Sequence, residues 1–125
     1  MSESRVRAEH VDGGVAVVTL DDAAHRNVMT HALVRGLADA VREVIDAGAR
    51  ALVLRAEGLV FCAGGSADEL LEPKVDLPEM YSGVLALADA PIVTIAAVDG
   101  AAIGAGVNLP LACDVVVASP SARFD

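Results

Sequence analysis

The stretch that decides the fold is AAVDGAAIGAGVNLPLACDVVVAS, residues 96–119. It begins in an apolar, strand-like run and then enters a turn, residues 100–106, built almost entirely from Gly and Ala. Asn108 is the only strongly polar residue inside the short helix predicted next, and DVVVAS predicts another strand. Because Gly and Ala let a ligand approach the backbone closely, the stretch predicts a role for main-chain N–H groups.

A second turn of the same kind occurs earlier in the chain, in VFCAGGSADE, residues 60–69. It follows the buried-strand pattern ALVLRA, residues 51–56, and Ser66 is spaced to cap a helix with Glu69 three residues later. A helix start leaves N–H groups unpaired and carries a partial positive charge. Two such starts converging on one carbonyl oxygen would form an oxyanion hole.

The rest of the pattern predicts an α/β chain. The runs 6–10 and 15–20 read as a hairpin joined by the Asp-Gly turn VDGG, and Thr30 is placed to cap a helix that ends near Gly48. EPKVDLP, residues 72–78, predicts a loop, and residues 79–88 predict one helix. After Pro91 the chain is predicted to be extended up to Val98.

Composition narrows the class of protein. The 125 residues suit one globular domain, 54% of them are apolar, and the net charge of −9 with nine dispersed basic residues argues against nucleic-acid binding. No uninterrupted apolar run reaches the ~18 residues of a membrane span. Cys62 and Cys113 lie in apolar sequence behind a polar N-terminus, which favours a reduced, cytoplasmic protein.

The sequence matches other classes of functional site less well. GAGVNL, residues 104–109, places Leu109 where a dinucleotide fingerprint needs a third small residue, and no Gly-Lys-Ser/Thr follows for a phosphate loop. The three His residues show no metal-ligand spacing, and both Cys residues read as small buried apolar groups. An alternative interpretation of each turn is that its glycines serve only tight turns and close packing, without binding a ligand.

Three stretches resemble the enoyl-CoA hydratase/isomerase, or crotonase, family: VAVVTLDDAAHRNVM (15–29), VFCAGGSADEL (60–70) and PIVTIAAVDGAAIGAGVNLPLACDVVVASPSARF (91–124). The resemblance implies a spiral of ββα units that binds an acyl-CoA thioester, with the N–H groups of Gly65 and Ala105 as oxyanion donors. An Ala at position 105, where Gly is usual, keeps its N–H and fits if its φ is negative. Coenzyme A would enter as part of the substrate, with no separate cofactor and no metal.

The resemblance also implies residues that contact coenzyme A, and it identifies departures from the family pattern. The implied contacts are His25, Arg26, Val28, Cys62, Ala63, Gly65 and Ala67. Asn108 stands where hydratases of the family carry Glu, and an amide cannot act as a general base. Asn108 could hold a water or a substrate oxygen, or it could be a polar residue satisfied inside the fold. Asp68 stands where a Lys often faces the phosphates.

We therefore expect residues 1–125 to form a crotonase-like acyl-CoA-binding core that lacks the C-terminal half of the family fold. The expected activity is that of an enoyl-CoA hydratase or isomerase of fatty acid metabolism. The alternative is a catalytically silent acyl-CoA-binding or scaffold protein. The resemblance further implies a homotrimer or a dimer of trimers in the full-length protein, with no nucleic-acid or membrane partner.

Overall fold

The computed structural model describes residues 5–66 and 77–125. Their strands and helices follow one another as repeated ββα units, which confirms the predicted α/β class. In chain order the elements are β1 Val6–Val11, β2 Val15–Leu20, a 3-10 turn Ala23–His25, α1 His31–Asp46, β3 Ala51–Ala56, β4 Val60–Cys62, α2 Leu77–Met80, α3 Ser82–Asp89, β5 Val93–Val98, β6 Ala101–Ala102, a 3-10 turn Gly104–Val107, α4 Asn108–Leu111, β7 Val115–Ala118 and β8 Arg123–Phe124.

The described strands form two sheets. The large sheet has the order β1-β2-β3-β5-β7, and the small sheet has the order β4-β6-β8. Strands β1 and β2 are antiparallel, as the Asp-Gly turn predicts, and every other pairing is parallel. From β3 onward, each pair of consecutive strands contributes its first member to the large sheet and its second to the small one. The chain therefore advances as a spiral along both sheets.

Helix α1 covers one face of the large sheet. Its apolar residues recur at helical spacing, so one side is buried, and the helix contacts β1, β2 and α3. Thr30 caps it as predicted, because Thr30 Oγ1 accepts a hydrogen bond of 3.2 Å from the N–H of Leu33. The residues buried from this helix are Leu33, Val34, Leu37, Ala38, Ala40, Val41 and Val44.

Two expectations for the middle of the chain were wrong in detail. The loop expected up to residue 78 ends earlier, since α2 already begins at Leu77. Pro78 is tolerated there because the first turn of a helix leaves its N–H groups unpaired. The single helix expected over residues 79–88 is divided at Tyr81 into α2 and α3. The predicted Ser66–Glu69 cap involves residues outside the described ranges.

The glycine-rich turn at residues 100–106 is more structured than its sequence suggests. It contains the two-residue strand β6 and then a 3-10 turn that leads into α4. Small side chains allow β6 to lie between β4 and β8. None of the helices in the two described ranges is long and apolar enough to cross a membrane.

Replacing Thr30 with Ala should lower the free energy of unfolding by about 1 kcal/mol, because the N–H of Leu33 loses its acceptor at the start of α1. Thr30→Ser keeps an acceptor oxygen and should remain close to the parent protein. Urea denaturation followed by circular dichroism measures both variants. Equal stability of Thr30→Ala and the parent would contradict the cap.

Candidate functional site at two glycine-rich turns

The structure brings the two glycine-rich turns into direct contact. Strands β4 and β6 are parallel neighbours, with Val60 opposite Ala101 and Cys62 opposite Ala102, so their carboxyl ends meet at the same edge. The N–H of Ile103 donates a 2.9 Å hydrogen bond to the carbonyl oxygen of Cys62. The sequence predicted two equivalent turns, and their contact is a feature of the tertiary structure.

Two glycines make this contact sterically feasible. A Cβ atom on Gly64 would lie 2.7 Å from the carbonyl oxygen of Ile103 and 3.6 Å from the backbone nitrogen of Ala105. Gly64 also has a φ of +97°, a conformation that residues with a side chain rarely adopt. A Cβ atom on Gly106 would overlap the carbonyl group of Cys62. Close packing between the turns therefore explains these two glycines without any ligand.

The N–H groups of Gly65 and Ala105 have no backbone acceptor among the described residues. Gly65 lies opposite Met29 in a parallel bridge, but the hydrogen bond there runs from the N–H of Met29 to the oxygen of Gly64, at 2.7 Å. Ala105 is not among the described residues with positive φ, so the backbone accepts an Ala at this position without strain. Among the described residues nothing occupies either N–H group, so both can donate to a ligand.

The loop before α1, residues 21–30, is hydrogen-bonded to the first turn. The N–H of Ala63 donates to the carbonyl oxygen of Arg26 at 3.0 Å, so two of the predicted coenzyme A contacts are directly bonded. Arg26 is exposed, and Val28 is half-buried. His25 is exposed, and its Nδ1 lies 2.8 Å from Oδ1 of the buried Asp22. Ala67 and Asp68 are outside the described residues.

Asn27 is the residue of this loop whose importance the motifs did not reveal. It is fully buried, with Nδ2 donating to the carbonyl oxygens of Glu57 at 2.9 Å and Val60 at 3.0 Å. Its Oδ1 accepts from the N–H of Asp22 at 2.8 Å. Its φ of 52° is left-handed, which Asn tolerates better than most residues. The sequence signal that could have identified Asn27 is the occurrence of an Asn within a turn, where this residue type is common.

Asn108 stands at the first position of α4, directly after the second turn. The residue is half-buried, and its side-chain amide makes no hydrogen bond to any residue of the described ranges. The interpretation of Asn108 as a polar group satisfied inside the fold therefore has no support in the described part of the chain. Its amide is available to a water or a ligand oxygen.

Both cysteine thiols are in environments that suppress their reactivity. Burial raises the pKa of Cys62 to about 11 and the pKa of Cys113 to about 11, because a thiolate is poorly solvated there. This agrees with their interpretation as small apolar groups. Within residues 5–66 and 77–125, no group of three or more His, Cys, Asp or Glu side chains is placed to hold a metal ion.

Comparison with known proteins identifies the class to which this fold and these turns belong. Residues 10–125 match the model of the enoyl-CoA hydratase/isomerase family, and the chain belongs to that family.

The relatives are similar along nearly the whole of this chain. The probable enoyl-CoA hydratase EchA14 of Mycobacterium tuberculosis is 39% identical, over 92% of this chain and 47% of its own length. The solved enoyl-CoA hydratase of Mycobacterium smegmatis is 32% identical with a TM-score of 0.86, over 98% of this chain and 50% of that one. A Thermobifida fusca protein, solved in complex with acetoacetyl-CoA, is 32% identical with a TM-score of 0.81, over 97% and 53%. The chain thus spans about half the length of these relatives.

Replacing Asn27 with Asp should destabilise the protein by roughly 3 kcal/mol, because the isosteric carboxylate cannot donate to the carbonyls of Glu57 and Val60. Asn108→Asp is the matched control, since its amide has no partner among the described residues, and it should cost less than about 1 kcal/mol. Urea denaturation gives both values. Similar losses for the two variants would contradict the role assigned to Asn27.

Alkylation should show that the thiols are inert. At pH 8 a thiol with a pKa near 11 has a thiolate fraction roughly 100-fold below that of a thiol with a pKa of 9, so iodoacetamide should label the folded protein far more slowly than the unfolded one. Mass spectrometry follows the labelling. Rapid modification of Cys62 in the folded protein at pH 8 would refute this assignment.

Proposed function

We propose that this chain supplies the thioester-binding part of an acyl-CoA enzyme, an enoyl-CoA hydratase or isomerase, in which the N–H groups of Gly65 and Ala105 form an oxyanion hole. The observation that carries the proposal is the contact between the two turns. It places Ala105 beside Gly64, the neighbour of Gly65, and both N–H groups lack a backbone acceptor among the described residues.

Such a pair of donors suits thioester chemistry. When a proton is removed next to a thioester carbonyl, or a nucleophile adds to the conjugated double bond, negative charge develops on the carbonyl oxygen. Preorganised N–H groups stabilise that charge, and one donor of this kind contributes roughly 3–4 kcal/mol in other enzymes. No hydrogen bond to the described residues has to break before Gly65 or Ala105 binds the oxygen.

Coenzyme A would bind along the loop and the first turn, which are joined by the bond from Ala63 to Arg26. The contacts proposed are those that the family resemblance implied: His25, Arg26, Val28, Cys62, Ala63, Gly65 and Ala67. Exposed His25 and Arg26 are suited to polar contacts with the ligand, and buried Cys62 could contribute only backbone groups. The Thermobifida fusca relative solved with acetoacetyl-CoA supports this substrate class.

Asn108 would act by hydrogen bonding rather than by proton transfer. Its amide follows the second turn and has no partner in the described residues, so it can bind a water or a substrate oxygen. An amide has no basic lone pair of suitable pKa, so the general base of either reaction must be another group.

The wider setting is part of the same proposal. We place the protein in the cytoplasm, in fatty acid metabolism, and in a homotrimer or a dimer of trimers when the full-length protein is assembled. Its ligand is an acyl-CoA thioester, so coenzyme A arrives with the substrate and no separate cofactor is needed. We propose neither a nucleic-acid nor a membrane partner, in keeping with the net charge of −9 and the dispersed basic residues.

Replacing Ala105 with Pro should weaken binding of acetoacetyl-CoA by roughly tenfold or more, because Pro removes the N–H that would hold the carbonyl oxygen. Ala105→Gly keeps the N–H and should bind like the parent protein. Isothermal titration calorimetry measures affinity, and the ultraviolet difference spectrum of the bound ligand reports polarisation of its carbonyl. Thermal melting verifies that each variant is folded.

Unchanged affinity and an unchanged spectrum for folded Ala105→Pro would refute the oxyanion hole. Crotonyl-CoA hydration or isomerisation by the full-length protein then tests the activity itself. Tight binding of acyl-CoA without any turnover would instead identify a silent acyl-CoA-binding or scaffold protein.

A further inference from the structure

The loop before α1 contains a carboxylate and an imidazole that form a pair, Asp22 and His25. Nδ1 of His25 lies 2.8 Å from Oδ1 of Asp22, whose side chain is only 5% exposed. The side chain of His25 is 63% exposed, and no described residue bonds to its Nε2. Because an ionised carboxylate only accepts hydrogen bonds, the proton of a neutral ring resides on Nδ1. The Nε2 edge of the ring is therefore the edge that a ligand can contact.

Backbone hydrogen bonds hold Asp22 in place. Its N–H donates to Oδ1 of the buried Asn27 at 2.8 Å. Its carbonyl oxygen accepts from the N–H groups of His25 at 3.0 Å and Asn27 at 2.9 Å. The guanidinium of Arg5 lies 3.9 Å from Oδ1 of Asp22, beyond hydrogen-bond distance. Asp22 thus holds both the ring of His25 and the turn that carries it.

Arg26, the next residue, has an unusual backbone conformation. Its φ is 54° and its ψ is 33°, in the left-handed region, and Asn27 follows with a φ of 52°. This region is costly for residues with a side chain, and such strain is concentrated at ligand-binding and active sites. The carbonyl oxygen of Arg26 accepts from the N–H of Ala63 at 3.0 Å, so the strained residue lies beside the first turn.

The charges of this loop suit an anionic ligand. The chain carries a net charge of −9, so an anion needs local positive charge in order to bind. Both carboxylates of the loop have partners, since Oδ2 of Asp21 lies 2.8 Å from Nη1 of Arg7 and Asp22 contacts His25. The exposed guanidinium of Arg26 makes no ion pair or hydrogen bond with any described residue. A phosphate would receive charge-assisted hydrogen bonds from Arg26 and from a protonated His25.

We infer that Asp22 is a positioning residue whose carboxylate holds the ring of His25 so that Nε2–H donates to a phosphate oxygen of coenzyme A. The inference rests on the proposed function, because it requires an acyl-CoA bound at the first turn. Only the protonated ring carries a hydrogen on both nitrogens, so the contact forms with cationic His25. Imidazole changes charge between about pH 5 and 8, so the affinity for acyl-CoA falls as the pH rises through that range.

The first test compares two ligands at pH 6. Acetoacetyl-pantetheine carries the same thioester carbonyl as acetoacetyl-CoA but lacks the nucleotide and all phosphates. His25→Ala should weaken binding of acetoacetyl-CoA roughly tenfold or more, because a charged hydrogen bond is lost. Binding of acetoacetyl-pantetheine should stay within about twofold of the parent protein, since that ligand does not reach His25. Isothermal titration calorimetry measures both affinities.

The second test separates positioning by Asp22 from a merely structural role. For the parent protein, binding of acetoacetyl-CoA should be roughly tenfold tighter at pH 6 than at pH 8. The same change of pH should have a smaller effect on His25→Ala and on Asp22→Asn. Nitrogen-15 NMR of the imidazole should show Nδ1 protonated in the neutral ring of the parent protein and should show that Asp22→Asn loses this preference. A loop that was only loosened would lose affinity equally at both pH values and for both ligands.

His10→Ala is the matched control, because His10 is an exposed histidine at the hairpin end of β1, opposite Ala16. It should bind both ligands like the parent protein at each pH, and thermal melting should show every variant folded.

Three results would overturn the inference while the proposed function stands. Folded His25→Ala binds acetoacetyl-CoA as tightly as the parent protein, or it loses affinity equally for both ligands, or Asp22→Asn keeps the parent's pH dependence and ring tautomer. If the parent protein binds neither ligand, the proposed function and this inference both fail.

Discussion

The hydrogen bond from the N–H of Ile103 to the carbonyl oxygen of Cys62 is the interaction on which the candidate site depends. It holds two turns so close that Gly64 and Gly106 have no room for a Cβ atom. The need for small residues therefore arises first from packing between the turns. The same packing leaves the N–H groups of Gly65 and Ala105 without backbone acceptors in the described part of the chain, so one constraint produces both the compact contact and the free donors.

The loop before α1 is hydrogen-bonded to this arrangement. Asn27 connects it to both ends of the segment between β3 and β4 through the carbonyl oxygens of Glu57 and Val60. Arg26 and Met29 then bond to the first turn through Ala63 and Gly64. A buried amide whose two N–H groups and oxygen all have hydrogen-bond partners contributes to stability, and a search for catalytic motifs overlooks it because it carries no titratable group.

The large sheet is buried to different extents under α1 and at β7. The face of the large sheet under α1 is packed with Leu and Val side chains, whereas β7 exposes valines on both faces. The candidate site lies where β4 and β6 of the small sheet lead into the two glycine-rich turns. Residues that form the site are supported by hydrogen bonds to the loop before α1.

The sequence by itself determined the class of fold, because alternating strand and helix patterns, the Asp-Gly hairpin and the Thr30 cap depend on residues close together in the chain. The structure contains both the hairpin and the cap. It also determined which turns are bare of side chains. It did not determine the break at Tyr81 or strand β6, since a two-residue strand has too few residues to show a period. Only the tertiary structure decided that the two turns touch and that Asn27 joins the loop to the strands, because each depends on residues far apart in the chain.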